Sequence, residues 1–307
     1  MTSYYRVMLG RKSMHARTCL DGNFIGADFS IHQDLSDVLS DDWRSFSDAI
    51  KPTYLAKHPK KSKVAASLAC GALWTICRKV QEGDLVLCPD GTGSYRVGDI
   101  TSGYTYAAAE PLPHRRQVAW RTKAVAKAAM SDALRHSAGS IGTVSNITKH
   151  AEELSGLIGK AEDPRIKSGD PTIEDVSTFA LEAHLEDFLF NNWAQTDLGK
   201  DLDIYQDDEE SGRQLPTDTG RLDILAISKD KKRLVVVELK KGRASDAVVG
   251  QVLRYMGYVQ NELAEDGQTV EGIIIAHEND KRLRRALEMT PTVSFYCYKV
   301  SFQLITE

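Results

Sequence analysis

The chain has 307 residues, of which 42% are hydrophobic and 27% are charged, and its formal net charge is −4. This balance is typical of a soluble globular protein, and no apolar run approaches membrane-spanning length, so we expect no membrane contact. The N-terminal sequence MTSYYRVMLGRK lacks the apolar region of a signal peptide, and the five cysteines have no paired spacing, so we expect a cytoplasmic protein without a disulfide framework or a zinc site.

The length exceeds that of one typical domain, so we expect two domains, and charge is divided unevenly between the two parts of the chain. Residues 1–130 contain 18 Lys and Arg against 12 Asp and Glu, a net charge of +6. Residues 131–307 contain 21 and 31, a net charge of −10, and the two parts sum to −4. The N-terminal part is therefore the better candidate for nucleic-acid binding. The lysines that cluster there are Lys57, Lys60, Lys61 and Lys63.

The first 120 residues alternate short β-like runs with turns. Pro-Asp-Gly at residues 89–91 is strong turn chemistry, which predicts a hairpin between the runs 85–88 and 95–100. A helical pattern at about residues 63–80 interrupts the strands. The other predicted strands are Tyr4–Leu9, Tyr104–Tyr106 and His114–Trp120. Several short strands with one inserted helix indicate a small mixed β-barrel.

The segment GDLVLCPDGTGSYRVGDITSGYTY, followed by HRRQVAW, resembles the PUA/EVE-like barrels found in front of restriction nucleases. The resemblance covers about residues 1–121 and implies nucleic-acid binding, often with a flipped, modified base held in an aromatic pocket. The side chains that would stack on such a base are Trp74, Tyr104, Tyr106 and Trp120. The alternative is that at least half of these aromatics belong to the barrel core.

Basic side chains of the same part of the chain are further candidates for nucleic-acid contacts. Arg115 and Arg116 are adjacent on a predicted strand and must face opposite ways, so at most one of them lines a shared surface. We take Arg115 as that residue, together with Lys60 and Lys61 of the lysine cluster.

Residues 122–171 are predicted to connect two domains. Helical patterns run from Ala124 to Arg135 and from Val144 to Leu157, with no visible chemistry, and residues 159–171 are rich in charge, glycine and proline. The predicted organisation is a recognition domain over residues 1–121, a helical connector and linker over 122–171, and a catalytic domain over 172–307.

The C-terminal part contains two predicted strands that bring acidic residues together. Asp223 lies on the first, and Glu238-Leu239-Lys240 ends the second, after the turn signal at residues 228–232. Because side chains on a strand alternate, Glu238 and Lys240 point the same way and Leu239 points into the core. A hairpin would place Asp223 beside Glu238.

Two carboxylates and the backbone carbonyl of Leu239 form a hard oxygen ligand set that suits Mg²⁺, for which Mn²⁺ would substitute. Lys240, beside the ion, would orient a water molecule and offset charge on a phosphate. The alternative is an exposed strand with a surface ion pair. The continuous apolar run Leu234–Val237 argues against that alternative, because it is typical of a strand buried on both faces.

The residues that follow are of types that contact phosphate. Lys241 and Arg243 precede a helical pattern that opens at Ser245. Gln251 and Tyr255 are four residues apart on that helix and share a face. Arg221, two residues before Asp223, is a further candidate for nucleic-acid contact.

The run GRLDILAISKDKKRLVVVELKKGRASDAVVGQVLRYMGYV resembles the catalytic core of the PD-(D/E)XK nucleases, above all the NucS-type endonucleases and their RecB-like relatives. The resemblance covers about residues 175–305 and implies a restriction-endonuclease-like α/β domain with a mixed central sheet flanked by helices. It implies Asp223 and Glu238 as metal ligands and Lys240 as the catalytic lysine. Gln251 and Tyr255 match the helix motif Q-x-x-x-Y of the family. The family also carries an acid on its first core helix.

The segment 181–189 fits that first core helix and contains two candidate acids. We favour Glu186 over Glu182, because Glu186 lies in a register that resembles LExFL.

Three functions remain open. The first is a magnesium-dependent DNA endonuclease whose N-terminal barrel selects the target, as in modification-dependent restriction or anti-phage defence. The second is a NucS-like repair endonuclease that acts on mismatched or branched DNA. The third is a nucleic-acid-binding protein with an inactive nuclease fold, against which the intact Asp223, Glu238 and Lys240 argue.

The expected partner is DNA. One active site cuts one strand, so double-strand cleavage predicts a homodimer or two sequential nicks. The chain has no GxxxxGK[ST] motif, so any motor or defence-system partner is a separate protein.

Overall fold

The computed structural model of the chain describes residues 2–108, 110–159, 185–207, 210–279 and 281–298. The alternative helix acid Glu182 and residues 160–171 of the predicted linker lie outside the described residues. The chain divides into two compact units. The first contains the described residues of Met1–Gly169 and of Gln206–Ser211, and the second contains those of Asp170–Tyr205 and Gly212–Glu307. In the described parts of both units, every helix is too short or too polar to cross a bilayer.

The first unit is built on an eight-stranded mixed sheet that curls into a half-barrel. Its strands are β1 (Tyr4–Val7), β2 (Phe24–Ala27), β3 (Leu85–Pro89), β4 (Ser94–Ile100), β5 (Thr105–Tyr106), β6 (His114–Trp120), β7 (Val125–Ala126) and β8 (Val144–Asn146). The strand order is β2-β6-β4-β3-β1-β8, with β5 on β6 and β7 on β4. The pair β1–β3 is parallel and the other pairs are antiparallel. The predicted hairpin at Pro-Asp-Gly is confirmed as β3–β4.

Five α-helices accompany this sheet in the described residues: α1 (Ala16–Asp21), α2 (Trp43–Lys57), α3 (Lys63–Trp74), α4 (Asp132–Gly139) and α5 (Ala151–Ile158). Side-chain caps start three of them. Asp42 accepts hydrogen bonds from the amides of Arg44 and Ser45, Ser62 accepts one from Ala65, and Ser131 accepts one from Leu134. A π-helical turn, Thr75–Lys79, continues α3, so the helix predicted at 63–80 is confirmed. From Val64 to its end α3 is buried on every side, in keeping with its small and apolar residues.

The structure differs from the predicted helical connector over residues 122–159. This segment forms β7, α4, β8 and α5, and β8 pairs with β1. Apolar residues of α4 and α5, including Leu134 and Leu154, share one buried core with Tyr4 and Leu85. The helical pattern was visible in the sequence, but its apolar face is covered by the first unit.

Arg6 and Glu210 are two of the buried charged residues of the first unit. The guanidinium of Arg6 on β1 is fully buried and donates hydrogen bonds to the carbonyls of Ser140 and Gly142 and to the hydroxyl of Ser145. Glu210 is buried nearby, and its Oε1 accepts a hydrogen bond of 2.9 Å from the amide of Thr143. Burial raises the pKa of Glu210 to about 7, although the hydrogen bonds of Thr143 and the charge of Arg6 lower it.

The second unit is built on a six-stranded mixed sheet. Its strands are β9 (Leu202–Ile204), β10 (Arg213–Thr217), β11 (Gly220–Ser228), β12 (Arg233–Arg243), β13 (Thr269–Glu278) and β14 (Val293–Cys297). The order is β10-β11-β12-β13-β14, with β9 on β11. Strands β12, β13 and β14 are parallel, and β11 is antiparallel to β12. Three helices flank this sheet in the described residues: α6 (185–192), α7 (Ala247–Tyr258) and α8 (Lys281–Glu288).

The β11–β12 hairpin is the element that places the predicted acids together. Ile224 pairs with Val237, so the next position brings Asp223 opposite Glu238. The run Leu234–Val237 is buried, as its continuous apolar character predicts for a central strand. The predicted mixed sheet with flanking helices is therefore present in the second unit.

We expect Glu210→Gln to remove one pH dependence of stability. Because the folded pKa is raised, the protonated carboxyl stabilises the fold below about pH 4.5, and this contribution is lost as the pH rises through about 7. The free energy of unfolding of the unmodified chain should therefore fall by up to about 3 kcal/mol relative to the variant between about pH 5 and pH 8, at about 1.4 kcal/mol per pKa unit. Urea denaturation at both pH values measures this difference. An identical pH dependence in the two chains would contradict it.

Candidate active site

Strands β11 and β12 and helix α7 bring five of the predicted site residues together. Asp223 Oδ2 accepts a hydrogen bond of 2.8 Å from the amide of Leu239, which ties the acid of β11 to the backbone of β12. Glu238 Oε1 accepts one of 2.9 Å from Lys240 Nζ and one of 2.7 Å from Gln251 Nε2. The strand alternation that puts Glu238 and Lys240 on one face is therefore present.

The hydroxyl of Tyr255 closes the helix side of this cluster. Gln251 Nε2 lies 3.3 Å from it, one helical turn away along α7. The same hydroxyl explains the glycine of the GRLD motif, since a Cβ on Gly220 would lie 2.8 Å from it. Gly220 also has a φ of +145°, which L side chains rarely adopt. Glycine at this position thus lets β11 start against the phenol ring.

The two carboxylates interact unfavourably with each other. Glu238 is only 2% exposed, and Asp223 faces it across the hairpin. Burial, and then the negative charge of Glu238, raises the pKa of Asp223 to about 7, with Lys240 opposing the shift. A carboxyl whose charge is opposed in this way, beside the buried carboxyl of Glu238, forms a donor set that a bound cation would stabilise.

The ligand chemistry fits a hard divalent cation. Among the described residues, no three His, Cys, Asp or Glu side chains gather into a ligand group, so the acidic donors for a cation here are Asp223 and Glu238. Carboxylate oxygens suit Mg²⁺ or Mn²⁺, and Mg²⁺ commonly uses one or two carboxylates and keeps several water molecules. The contribution of the Leu239 carbonyl remains a prediction.

Helix α6 places Glu186 beside this pair, as the favoured register predicts. Glu186 Oε2 accepts a hydrogen bond of 3.1 Å from Gln214 Nε2, and the same amide group lies 3.3 Å from Asp223 Oδ1. Gln214 therefore bridges the acid of α6 and the acid of β11.

Strand β10 supplies support that sequence reasoning missed. Arg213 Nε donates to Glu186 Oε1 at 2.5 Å, and its Nη2 donates to Asp187, which is itself buried. Gln214 has a φ of +52°, a left-handed conformation that is uncommon for a residue with a side chain. No local signal marks this pair, because the partners Glu186 and Asp187 lie more than 20 residues away on α6 and only the fold brings them close.

The candidate nucleic-acid contacts of the second unit are only partly described. Arg221 is exposed at the start of β11, two residues from Asp223. The side chains of Lys241 and Arg243 lie outside the described set, although their backbones continue β12. All three stay predictions.

In the first unit, three of the four predicted stacking aromatics make hydrogen bonds within the fold, among them Trp120, whose indole nitrogen donates to the carbonyl of Cys19 at 3.3 Å. Trp74 is 6% exposed, and its indole nitrogen donates to the carbonyl of Ser40 at 2.9 Å. The Tyr104 hydroxyl accepts from the amide of Leu35 at 3.2 Å and lies 3.0 Å from His114 Nδ1. Trp74 is thus a core residue, which is the alternative reading of these aromatics. Tyr106 and Trp120 are half-buried.

Two of the three predicted basic contacts there also have partners within the unit. The Arg115 guanidinium lies 3.8 Å from the Phe24 ring centroid and donates to the carbonyls of Pro111 and Leu112. Lys61 is paired with Asp207 at 3.2 Å, and Lys60 is exposed. Arg116, the next residue of β6, is buried and donates hydrogen bonds to the carbonyls of Ile76 and Cys77.

Comparison with known families places the site inside a recognised segment. Residues 182–291 match the family model described as the endonuclease NucS C-terminal domain, and this range includes every site residue from Glu186 to Tyr255. The second unit is therefore similar to NucS-type nuclease domains. Residues 5–148 match a domain of unknown function, DUF8426. A search of curated proteins found no match.

Three solved structures are similar to the chain at low identity. The EndoMS–dsDNA2 complex is 17% identical, with 70% of this chain and 68% of that chain covered and a TM-score of 0.34. A repair endonuclease from Pyrococcus abyssi is 18% identical, with 69% and 66% covered and a TM-score of 0.31. EndoMS in its apo form is 16% identical, with 70% and 67% covered and a TM-score of 0.28. The TM-scores are low, so these likenesses carry no weight for the fold or function of this chain.

Gly220→Ala tests the close approach at the motif glycine. We expect the substitution to lower the free energy of unfolding by about 1–3 kcal/mol, from strain at positive φ and from the clash with the Tyr255 hydroxyl. Adding Tyr255→Phe should restore about 1 kcal/mol of the loss, because it removes the atom in conflict. Denaturant unfolding of both single variants and the double variant measures the coupling. Strictly additive effects would show that the hydroxyl and Gly220 do not interact.

Proposed function

We propose that this protein is a divalent-metal-dependent DNA endonuclease. The observation that carries the proposal is the convergence of Asp223, Glu238 and Lys240, with Glu238 buried, inside the segment that matches the NucS C-terminal domain. The name of that family supports phosphodiester hydrolysis, and the site supports a cation-assisted reaction.

Asp223 and Glu238 would hold the cation. When bound, Mg²⁺ or Mn²⁺ supplies charge that polarises a phosphoryl oxygen and makes a coordinated water more acidic. Gln251 and Lys240 both donate to Glu238 Oε1, so they fix the orientation of this carboxylate. Lys240 is 33% exposed at its side chain, which leaves its ammonium accessible to a phosphate oxygen or to a water molecule.

The endonuclease could select its DNA target in either of two ways, which we call the repair form and the restriction form. The family match favours a NucS-like repair endonuclease that acts on mismatched or branched DNA, with recognition supported by the second unit. Modification-dependent restriction or phage defence would require a base pocket in the first unit, and the burial of Trp74 gives that form less support. A nucleic-acid-binding protein with an inactive nuclease fold is the third possibility.

A cleavage panel distinguishes these forms. The full chain is incubated with Mg²⁺ or Mn²⁺ and with plain, cytosine-modified, mismatched, branched and single-stranded DNA, and with RNA. The repair form predicts preferential cutting of mismatched or branched duplexes, and the restriction form predicts cutting only of modified DNA. Double-strand cuts should come from a homodimer or from two sequential nicks. No cutting of any substrate with either metal would overturn the endonuclease proposal.

Isosteric amide replacements test the two acids. Asp223→Asn or Glu238→Gln should abolish cleavage, because each removes a charged ligand that no neighbour replaces. In the absence of metal, either variant should melt at a higher temperature than the unmodified chain, since the substitution removes the repulsion within the pair. Glu271→Gln is a matched control, because this acid lies on the adjacent strand β13 and pairs with Arg233 at 3.0 Å. Near-normal cutting by Asp223→Asn or Glu238→Gln would show that the substituted acid is not a required metal ligand.

Lys240→Ala should slow the chemical step much more than it weakens DNA binding. A cation that acts mainly in the transition state lowers turnover when it is lost, and we expect a decrease of about 100-fold or more. Single-turnover cleavage at saturating protein separates the chemical step from binding. Lys229→Ala, at the exposed turn between β11 and β12, is the control. A defect confined to binding would make Lys240 a phosphate anchor only.

A further inference from the structure

Helix α8 carries an unusually dense basic surface. Its eight residues, KRLRRALE, contain four cationic side chains and one acidic side chain, a net charge of +3. Lys281, Arg282, Arg284 and Arg285 are all exposed. We refer to these four residues as the α8 basic face. Within this face, Arg284 Nε donates a hydrogen bond of 3.0 Å to Asn279 Oδ1.

The charge of the α8 basic face is opposite in sign to the net charge of the second unit. The second unit contains 16 Lys and Arg against 22 Asp and Glu, a net charge of −6, so as a whole it repels a polyanion. A local cluster of cations is therefore needed wherever the second unit approaches phosphate groups. The net charge of residues 131–307 does not reveal this cluster, because acidic residues elsewhere in that range outweigh its charge of +3.

Helix α8 starts close to the end of the parallel strands β12 and β13, where Lys240 of the candidate active site lies. Lys240 on β12 is in register with Ala276 on the parallel strand β13, and α8 begins five residues after Ala276. Five extended residues span at most about 17 Å. Helix α8 packs against α7, which carries Gln251, and against β14. Successive phosphates of one strand rise about 3.4 Å along the duplex axis, so this reach corresponds to about five nucleotides.

We propose that the α8 basic face binds the phosphate backbone of the DNA that flanks the cleavage point. The inference rests on the proposed endonuclease function and names the surface that holds its substrate. Arginine suits this task, because its planar guanidinium donates two parallel hydrogen bonds to phosphate oxygens. Lys281 and Arg285 are four residues apart and so lie next to each other on the outward side of the helix.

The apolar residues of α8 are directed into the protein. Leu283 is fully buried, and Ala286 and Leu287 are half-buried. A helix that inserts into a lipid surface needs an outward apolar face, and these three residues do not supply one. A phosphodiester backbone, which presents charge without an apolar surface, is the occupant that the α8 basic face matches.

The test compares two triple variants of the full chain, both in the Asp223→Asn background so that DNA is not cut. The first is Arg282→Gln/Arg284→Gln/Arg285→Gln, in which glutamine retains good helix propensity. The matched control is Lys229→Gln/Lys231→Gln/Lys232→Gln, which removes the same charge from exposed lysines at the opposite end of β12. Affinity for a plain duplex and for a mismatched duplex is measured by fluorescence anisotropy at several salt concentrations, and circular dichroism checks the fold.

We expect the α8 variant to bind both duplexes at least about tenfold more weakly at low salt. The slope of log affinity against log salt should fall by up to about 3, close to one for each lost phosphate contact. The control should retain the slope of its parent. Equal affinity and slope in the α8 variant and the control, or no DNA binding by the parent chain, would overturn the proposal.

The same series separates this inference from the proposed function. If the unmodified chain cleaves DNA but the α8 substitutions do not weaken binding, the proposal for the α8 basic face is wrong and the endonuclease proposal stands. Binding that depends on α8, without cleavage by the unmodified chain under any metal, would keep the surface and reject the endonuclease. Binding of the parent to anionic phosphatidylserine vesicles but not to DNA would also overturn the proposal.

Discussion

The close approach of two carboxylates, one buried and one half-buried, is the constraint on which the candidate site depends. Asp223 and Glu238 face each other across the β11–β12 hairpin, where burial and the charge of Glu238 both raise the pKa of Asp223. Two acids this close together are unfavourable for folding, and a bound cation would offset their repulsion. The surrounding structure is organised to keep the pair in place. Leu239 donates its amide to Asp223, and Gln251 and Lys240 both donate to Glu238.

A second layer of contacts extends the site to α6. Arg213 holds Glu186 and Asp187 together, and Gln214 links Glu186 to Asp223. These contacts connect α6 and β10 to the pair of acids on β11 and β12. We therefore propose separate roles for the candidate active site and the α8 basic face. The two acids would hold the cation, and the arginines of α8 would offset the net negative charge of this part of the chain.

The sequence predicts those parts of the fold that depend on local periodicity. Alternation along β12 puts Glu238 and Lys240 on one face, and a spacing of four puts Gln251 and Tyr255 on one side of α7. Features set by distant partners were missed. Arg213 and Gln214 look like ordinary polar residues until α6 folds against β10, and the helical patterns of 122–159 do not reveal that β8 pairs with β1. Burial of Trp74 likewise follows from tertiary packing rather than from its neighbours in sequence.

The central claim is that Asp223 and Glu238 form one divalent cation site. Calorimetric titration of the full chain with Mn²⁺, in the absence of DNA, measures this directly. The account predicts that the unmodified chain binds Mn²⁺ and that Asp223→Asn and Glu238→Gln each weaken this binding by at least about tenfold, as expected for loss of a charged ligand. Absence of Mn²⁺ binding by the unmodified chain, or an affinity in either variant equal to that of the unmodified chain, would contradict it.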